Sequence, residues 1–343
     1  MKKTVKVGNC ELGGGKIYIQ SMLNIPADNI KDSVKQAVEL EKAGCEIIRA
    51  AVPRIEDAPL ISALKNAVNV PVVADIHFDY RIALVCIEHG VDKIRINPGN
   101  IGSEDKVKAV ADACREKNIP IRIGVNSGSL EKNLLEKYGR PTPEALVESA
   151  LNNVALLNKF DFDDIVISIK SSDVRLMISA YRQLAGQTDY PLHLGVTEAG
   201  TERMGIIKSA VGIGSLLCDG IGDTIRVSLT ADPVREIYAA KDILKACGLY
   251  KGAEIVSCPT CGRTRIDLIG LAGQVEKMLE AVDKPIKVAV MGCAVNGPGE
   301  AREADIGIAG GKGEGIIFKK GRILRKVPED QLLAELKKEI DLL

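Results

Sequence analysis

The sequence has few aromatic residues and no surplus of charge, and both facts narrow what the protein can be. Its 343 residues include no Trp and only 3% aromatic residues, so aliphatic side chains must fill the core. Lys+Arg and Asp+Glu each number 46, which leaves no net charge to favour a nucleic acid or a membrane surface. RNA-binding modules also need aromatic platforms for bases. We therefore expect neither a nucleic acid nor a membrane among its partners.

Long apolar runs and a disulfide framework are missing as well. No segment is long enough to span a bilayer, and the N-terminus lacks the apolar stretch of a secretory signal. The nine cysteines are odd in number, and most of them stand singly. These features predict a cytoplasmic protein with reduced thiols. Five cysteines follow or lie within helical patterns, and we expect small buried side chains at Cys45, Cys86, Cys114, Cys218 and Cys247.

The sequence does contain one repeated unit, a short aliphatic strand followed by a polar loop and an amphipathic helix. The predicted strands are residues 17–22, 46–52, 70–76, 93–97, 119–125, 164–170, 191–197 and 223–229. Such a series is typical of a TIM (β/α)8 barrel, and no glycine-rich fingerprint follows the first strand as in a doubly wound sheet. We therefore predict an α/β protein with a barrel over residues 1–248 and a small α/β domain over 249–343. Before the barrel, residues 5–10 and 16–19 flank Gly13–Gly15 and predict a hairpin that caps the barrel bottom.

Basic residues are expected where several barrel strands end. Side chains at alternate positions of such strands point into the barrel, toward its C-terminal mouth. The cations at these positions are Arg49, Arg95, Arg122, Lys170 and Arg226, and polar residues with the same spacing are Asn97, Asn126, Ser168 and Ser228. Internal pairing with acids is the alternative, but only Asp75, Glu198 and Asp223 are placed for it. Since buried like charges need a partner and guanidinium groups bind phosphate oxygens in pairs, the pattern favours a diphosphate ligand. His77, close to Asp75, is either a substrate contact or a structural histidine.

Three cysteines of the second domain form a candidate metal site. Cys258 and Cys261 lie in a CPTC turn, a spacing that suits either zinc or an iron–sulfur cluster. Cys293 follows a predicted strand and is flanked by glycine. A closed zinc site usually takes its four ligands from two such turns, and the sequence has no second CxxC. Three thiolates on a [4Fe–4S] cluster leave one iron for a weaker oxygen ligand, for which Glu300 at the end of the same loop is the candidate.

At these residues the sequence resembles a known family over essentially its whole length. The matching stretches are residues 73–78, 93–100, 122–126, 195–200 and 219–228, together with the CPTC turn and the NGPGE loop. The family is that of the bacterial 4-hydroxy-3-methylbut-2-enyl diphosphate synthases of the non-mevalonate isoprenoid pathway. The segment 21–26, SMLNIP, departs from the Thr-rich segment usual in the family, so contacts there are not carried over.

The resemblance implies an iron–sulfur oxidoreductase. Its reaction would be the reductive ring opening and dehydration of 2-C-methyl-D-erythritol 2,4-cyclodiphosphate, with two electrons arriving singly from ferredoxin or flavodoxin. The implied diphosphate contacts are Arg49, Arg95, Asn97, Arg122, Asn126, Lys170, Arg226 and Ser228. The implied [4Fe–4S] ligands are Cys258, Cys261 and Cys293, with Glu300 as an exchangeable fourth. Glu300, Glu198 and His77 are the expected catalytic residues, and a head-to-tail homodimer is the expected assembly.

A rival interpretation is a redox-inert phosphate-binding barrel, an aldolase or pterin-type synthase, stabilised by zinc. The two interpretations predict different colours, because an iron–sulfur enzyme purified without oxygen is brown and a zinc protein is colourless.

Overall fold

The structure, a computed structural model, describes residues 2–97, 101–280, 282, 284–294, 299 and 301–343. The chain divides into two compact units, Met1–Cys247 and Gly248–Leu343, each built around its own main sheet.

The first unit is a parallel barrel preceded by a hairpin. Its strands are β1 (Val5–Val7), β2 (Cys10–Leu12), β3 (Tyr18–Met22), β4 (Ile47–Ala51), β5 (Val72–Asp75), β6 (Lys93–Ile96), β7 (Ile121–Asn126), β8 (Ile165–Lys170), β9 (His193–Leu194) and β10 (Thr224–Ile225). Eight of them form one sheet in the order β8–β7–β6–β5–β4–β3–β10–β9. A parallel bridge between Ile167 and Leu192 joins its two edges, so the sheet is nearly closed. The predicted TIM barrel is confirmed.

Helices of the described residues follow these strands. They are α1 (Ile30–Ala43), α2 (Pro59–Ala67), α3 (Tyr80–Glu88), α4 (Glu104–Lys117), α5 (Lys132–Tyr138), α6 (Pro143–Asn158), α7 (Val174–Ala185), α8 (Glu202–Cys218) and α9 (Pro233–Ala246). Local sequence sets their starts: Thr142 and Asp173 accept hydrogen bonds from first-turn backbone N–H groups, and proline opens α6 and α9. Among the described residues, no helix combines the length and the apolar character that crossing a membrane requires.

The last two barrel strands are shorter than the sequence predicts. Residues 191–197 and 223–229 were expected to be strands, but pairing is limited to His193–Leu194 and Thr224–Ile225. After β9 the chain turns at Glu198 and Gly200, whose φ angles of 51° and 107° are incompatible with a strand. The segments that lead to the barrel mouth are therefore loops.

The N-terminal hairpin closes the bottom of the barrel, as predicted, but its turn lies elsewhere. Strands β1 and β2 pair antiparallel around Gly8, which adopts a φ of 55°, so the prediction of a turn at Gly13–Gly15 is wrong. Gly13 is instead required because a Cβ there would lie 2.2 Å from the carbonyl oxygen of Lys3. Val5, Val7 and Leu12 of the hairpin pack against residues of the barrel strands, among them Ile47 and Val73.

The second unit is a five-stranded mixed sheet with helices. Its elements are β11 (Glu254–Ser257), α10 (Leu268–Leu279), β12 (Lys287–Met291), β13 (Ile306–Gly310), β14 (Glu314–Lys319), β15 (Arg322–Pro328) and α11 (Leu332–Asp341). Strands β11, β12 and β13 are parallel, whereas β13, β14 and β15 are antiparallel. The glycine-rich segment 310–315 joins β13 to β14 as a hairpin turn, which confirms the prediction made for it. A separate core of aliphatic residues, including Val288 and Leu336, stabilises this unit.

Candidate functional site

Five cationic side chains lie together inside the barrel, near the ends of its strands. We call Arg49, Arg95, Arg122, Lys170 and Arg226 the basic ring. Strand register explains part of this grouping, because Asp75, Arg95 and Arg122 are direct neighbours across β5, β6 and β7. Four of the five are less than 10% exposed, and Arg122 is fully buried. The sequence prediction of inward-facing cations is thus matched by their burial.

Two carboxylates pair with the basic ring. Asp75 accepts a hydrogen bond from Arg95 Nη1 at 3.0 Å, and its other oxygen lies 3.8 Å from Arg49 Nε. Glu236 lies 3.4 Å from Arg226 Nη2. Among the described residues, the five cations therefore face two acids, which leaves a surplus of positive charge in this part of the barrel.

Arg122 is the clearest sign that a ligand is required. None of its three guanidinium nitrogens has a hydrogen-bond partner among the described residues, although all are buried. Buried charged donors without partners are strongly destabilising. Arg49 Nη2 donates to Met22 Sδ, a weak acceptor, at 2.7 Å. An anion at the centre of the basic ring would supply the missing acceptors.

The pKa values within the ring reflect the same excess of positive charge. Burial lowers the pKa of Arg122 and of Lys170, and the charge of Arg49 lowers both further. Burial also lowers the pKa of Arg49 to about 10, against the opposing effect of Asp75. For Asp75, burial alone would raise the pKa, but Arg49, His77 and Arg95 outweigh it and hold the pKa far below its usual range. The lowered pKa favours the ionised form of Asp75, and a bound anion would favour the charged forms of the basic ring.

Glycines inside the barrel leave room for the long side chains of the ring. A Cβ on Gly124 would lie 2.5 Å from Arg95 Nε and 2.6 Å from its Nη2. At Gly195 a Cβ would lie 3.4 Å from Lys170 Nζ and 2.8 Å from the carbonyl oxygen of Arg226. The guanidinium of Arg95 therefore occupies the space that a side chain at residue 124 would fill.

The polar residues predicted beside the ring lie at the same strand ends. Asn97 follows β6 and is buried, and Asn126, the last residue of β7, is half-buried. Ser228 is half-buried beyond β10, whereas Ser168 is buried and donates to the carbonyl oxygen of Ile123. Amide and hydroxyl groups at these positions could extend the hydrogen bonding of a phosphate.

His77 and Glu198 lie in loops that follow barrel strands. His77 Nε2 is 3.6 Å from Asp75 Oδ2 and 3.5 Å from Arg95 Nη1, so it borders the basic ring. Glu198 is exposed and has a left-handed backbone, as does Phe78 beside His77. Such strained non-glycine residues are typical of functional loops.

Three further groups of the barrel were missed or misassigned by sequence reasoning. Glu236 was missed because it belongs to the first turn of α9, yet it is 3% exposed and also accepts from Ser21 Oγ at 2.9 Å. Asp223, expected to pair within the barrel, instead contacts Lys2 and the backbone N–H of Leu192. Lys93 is fully buried, and its amine has no hydrogen-bond partner in the described part of the chain. Its position two residues before Arg95 on β6 was the signal that could have found it.

His193 received no assignment from the sequence, and the structure places it inside the barrel. Its ring is fully buried, and Nδ1 lies 2.8 Å from Thr224 Oγ1. Burial, followed by the charge of Arg122, lowers the pKa of His193 well below its usual value. We therefore expect a neutral imidazole.

The cysteines of the second unit lie where parallel strands end. Cys258 follows β11 and Cys293 follows Gly292 at the end of β12, its direct neighbour. The backbone N–H of Gly292 donates to Cys258 Sγ at 3.2 Å, a contact typical of cluster-binding sulfurs. The backbone and side chain of Arg263 lower the pKa of the exposed Cys261 and so favour its thiolate. A cavity of about 190 Å³ lies beside Cys293.

These residues fit an iron–sulfur cluster in chemistry, because cysteine thiolates are the usual ligands of such clusters. A Cβ at Gly292 would lie 2.9 Å from Thr264 Oγ1, so the glycine lets Thr264 pack against the backbone next to Cys293. Within the part of the chain that the structure describes, no three His, Cys, Asp or Glu side chains converge closely enough to hold a metal ion. Glu300, the expected fourth ligand, lies outside the described residues.

Two other cysteines contradict the prediction of small buried residues. Cys45, Cys86 and Cys114 are buried as expected, but Cys218 is exposed and Cys247 is only half-buried. The prediction failed because both lie at C-terminal ends of helices, where a helical pattern no longer determines which side faces the core.

Known proteins match the chain along its whole length. The description GcpE TIM-barrel domain matches residues 2–241, and GcpE protein C-terminal domain matches residues 254–342. The chain is 62% identical to the 4-hydroxy-3-methylbut-2-en-1-yl diphosphate synthase (flavodoxin) of Clostridium perfringens, over 99% of this chain and 98% of that protein. It is 60% identical to the protein of the same name from Fusobacterium nucleatum, over 98% and 96%. Among solved structures, dihydropteroate synthase from Xanthomonas albilineans covers 71% of this chain and 97% of its own, with a TM-score of 0.53 and 12% identity, a likeness of fold alone.

Proposed function

Because the chain belongs to the GcpE family, which it matches in both domains, we propose that it is a 4-hydroxy-3-methylbut-2-enyl diphosphate synthase. Its reaction is the reductive ring opening and dehydration of 2-C-methyl-D-erythritol 2,4-cyclodiphosphate in isoprenoid precursor biosynthesis. Two electrons enter, the bond between the ring carbon and a phosphate oxygen breaks, and one hydroxyl leaves as water. Three relatives that carry this name are 62%, 60% and 60% identical to the chain.

The observation that carries the proposal is the buried guanidinium of Arg122, which has no hydrogen-bond partner among the residues that the structure describes. A diphosphate presents several acceptor oxygens on one compact group. Arg49, Arg95, Arg122, Lys170 and Arg226 would bind these oxygens, with Asn97, Asn126 and Ser228 as further donors. Asp75 would keep Arg95 in place by its hydrogen bond at 3.0 Å.

Two residues at the strand ends are proposed to act on the carbon skeleton of the substrate. His77 borders the ring, where its Nε2 could donate to a substrate oxygen beside the diphosphate. Glu198, in the loop after β9, could hold the proton that the departing hydroxyl needs. Both side chains could act while the diphosphate stays bound to the basic ring.

We also propose that Cys258, Cys261 and Cys293 hold a [4Fe–4S] cluster, with Glu300 as the fourth ligand. Their support is the hydrogen bond from Gly292 to Cys258 Sγ and the lowered pKa of Cys261. When bound, the cluster would supply the electrons one at a time. The name of the relatives favours flavodoxin as the electron donor, with ferredoxin as the alternative. A cytoplasmic homodimer completes the proposal.

Two variants separate the two halves of this function. Arg95→Ala removes a charged hydrogen bond that contributes about 1.5–3 kcal/mol. We therefore expect the affinity for the cyclic diphosphate to fall roughly tenfold or more, while the iron content of the variant stays normal. Cys293→Ala should lose iron and colour but keep the binding affinity. Cys45→Ala, at a buried barrel position, is the control for both. Unchanged binding in Arg95→Ala, or full iron in Cys293→Ala, would contradict the assignment of that residue.

The role of Glu300 needs its own test. A carboxylate is a hard oxygen ligand and should exchange more readily than a thiolate. We therefore expect Glu300→Ala to perturb the cluster spectrum and nearly abolish turnover, and Glu300→Cys to give a stable but poorly active cluster. If Glu300 only ends a turn, both variants will keep the spectrum and most of the activity.

A further inference from the structure

Two cysteines outside the proposed sites lie next to each other at the ends of neighbouring helices. Cys218 is the last residue of α8, and Cys247 directly follows α9. Their sulfur atoms are 4.0 Å apart. Cys247 Sγ also lies 3.9 Å from the carbonyl oxygen of Gly214. A disulfide needs sulfur atoms about 2.0 Å apart, so rotation of the two side chains could close the remaining gap.

The two thiols differ in their access to solvent. Cys218 is exposed, so a dissolved oxidant can reach it, and Cys247 is half-buried behind it. Burial and the neighbouring Cys218 raise the pKa of Cys247, which favours its protonated form. By contrast, Cys45, Cys86 and Cys114 are buried and out of reach. The pair therefore has the arrangement of an attacking and a resolving cysteine.

We propose that Cys218 and Cys247 are a redox-modification site that forms a reversible intramolecular disulfide on exposure to a peroxide. In the first step the sulfur of Cys218 attacks hydrogen peroxide, the O–O bond breaks, and a sulfenic acid and water form. In the second step the sulfur of Cys247 attacks the sulfenic acid, the S–O bond breaks, and the disulfide and a second water form. Both thiols are oxidised by one electron each, and the peroxide is reduced by two. A thiol reductant reverses the reaction by exchange.

The position of the pair predicts what the disulfide would change. Helix ends and strand starts share the bottom face of a parallel barrel, whereas the basic ring lies at the strand ends. Cys247 is also the last residue of the first unit. The disulfide would therefore fasten the end of the barrel to α8 without touching the ring. Closing the chain between residues 218 and 247 should raise the melting temperature of the oxidised barrel, by roughly 5 °C or more.

The test uses the full-length protein with its cluster, treated with stoichiometric hydrogen peroxide. Remaining thiols are blocked with N-ethylmaleimide during denaturation, and peptides are mapped without reductant. We expect one linked pair, Cys218 with Cys247, that is lost after dithiothreitol. Cys218→Ser should abolish the link and the shift in melting temperature, whereas Cys114→Ser should keep both. In Cys247→Ser, we expect dimedone to trap the sulfenic acid on Cys218.

Peroxide also acts on the cluster cysteines, but the wild type and Cys218→Ser share these cysteines. A difference between the two proteins therefore reports on Cys218 alone. The proposal is overturned if both peptides of the treated protein carry maleimide, since the thiols then never joined. It is equally overturned if Cys218 links two chains, seen as a dimer on a non-reducing gel, or if it proceeds to sulfinic acid without a link.

Discussion

Arg95 owes its position to the absence of a side chain at residue 124. A Cβ on Gly124 would lie only 2.5 Å from Arg95 Nε. The arginine side chain is flexible and can move aside. We therefore expect Gly124→Ala to fold but to displace Arg95 from Asp75 and from the ligand. Loss of this charged contact should weaken binding of the cyclic diphosphate roughly tenfold, as measured by isothermal titration calorimetry.

Gly128 provides the control for this prediction. It lies just beyond β7 and has no positive φ, and a Cβ there would meet no described atom within 4 Å. Gly128→Ala should bind normally. Equal affinities of the two variants would show that Arg95 does not need the space at residue 124.

Lys93 is a buried amine whose removal should stabilise the protein. Replacing it with the similarly long Met removes a buried amine that has no hydrogen-bond partner in the described part of the chain. We expect a gain of about 1–3 kcal/mol in the free energy of unfolding at pH 7. Lys6→Met, on an exposed residue of β1, should change little. Lower stability of Lys93→Met in chemical denaturation would show that the amine has an anionic partner.

The burial of Lys93 also predicts how the stability of the protein depends on pH. Burial, followed by the charge of Arg122, lowers the pKa of Lys93 in the folded protein well below its usual value. Between that lowered pKa and about 10.4, the unfolded chain binds a proton that the folded chain does not, so stability rises with pH. We expect the melting temperature of the wild type to gain more than that of Lys93→Met between pH 7 and 9. An equal change of melting temperature with pH in the two proteins would contradict this prediction.

Residue spacing predicted the cations of the basic ring, but only one of the two carboxylates that pair with them, Asp75. Alternation along strands identified Arg95 and Arg122 because a strand has a fixed period of two. Glu236 escaped because it reaches the ring from the first turn of a helix, and no period in the sequence links that turn to Arg226. Contacts between elements depend on packing, which one element's pattern does not contain.

At the scale of elements, the N-terminal hairpin closes the barrel. Leu12 is fully buried against the starts of the barrel strands, so Leu12→Ala should cost about 2–5 kcal/mol of unfolding free energy. Glu11→Ala, one residue earlier and exposed, should stay within about 0.5 kcal/mol. Urea denaturation followed by circular dichroism measures both. A small effect at Leu12 would mean that the barrel is stable without its hairpin.

Helices and strands were predictable where their side chains repeat over several turns or pairs. Strands β6, β7 and β8 agree with prediction to within two residues because aliphatic residues recur at every second position in each of them. The segment after β9 was not predictable, because Gly195-Val196-Thr197 reads as extended until the left-handed backbone of Glu198 is known. The turn of the first hairpin was misplaced for a similar reason: three glycines at 13–15 outweighed the single Gly8.

At the scale of the whole molecule, the sequence predicted two kinds of architecture and the structure contains both. The barrel contains a surplus of buried cations, and the second unit carries cysteines at the ends of parallel strands. Neither chemistry alone performs the proposed reaction, because diphosphate binding needs no electrons and a cluster alone has no substrate. Their presence in one chain is the central claim.

One measurement tests that claim most directly. The anaerobically prepared enzyme is incubated with 2-C-methyl-D-erythritol 2,4-cyclodiphosphate and reduced flavodoxin, and the products are identified by mass spectrometry. We predict 4-hydroxy-3-methylbut-2-enyl diphosphate, with two electrons consumed per molecule formed and no product from Cys293→Ala. If enzyme with a full cluster and bound substrate leaves the cyclic diphosphate unchanged while flavodoxin stays reduced, the account is wrong.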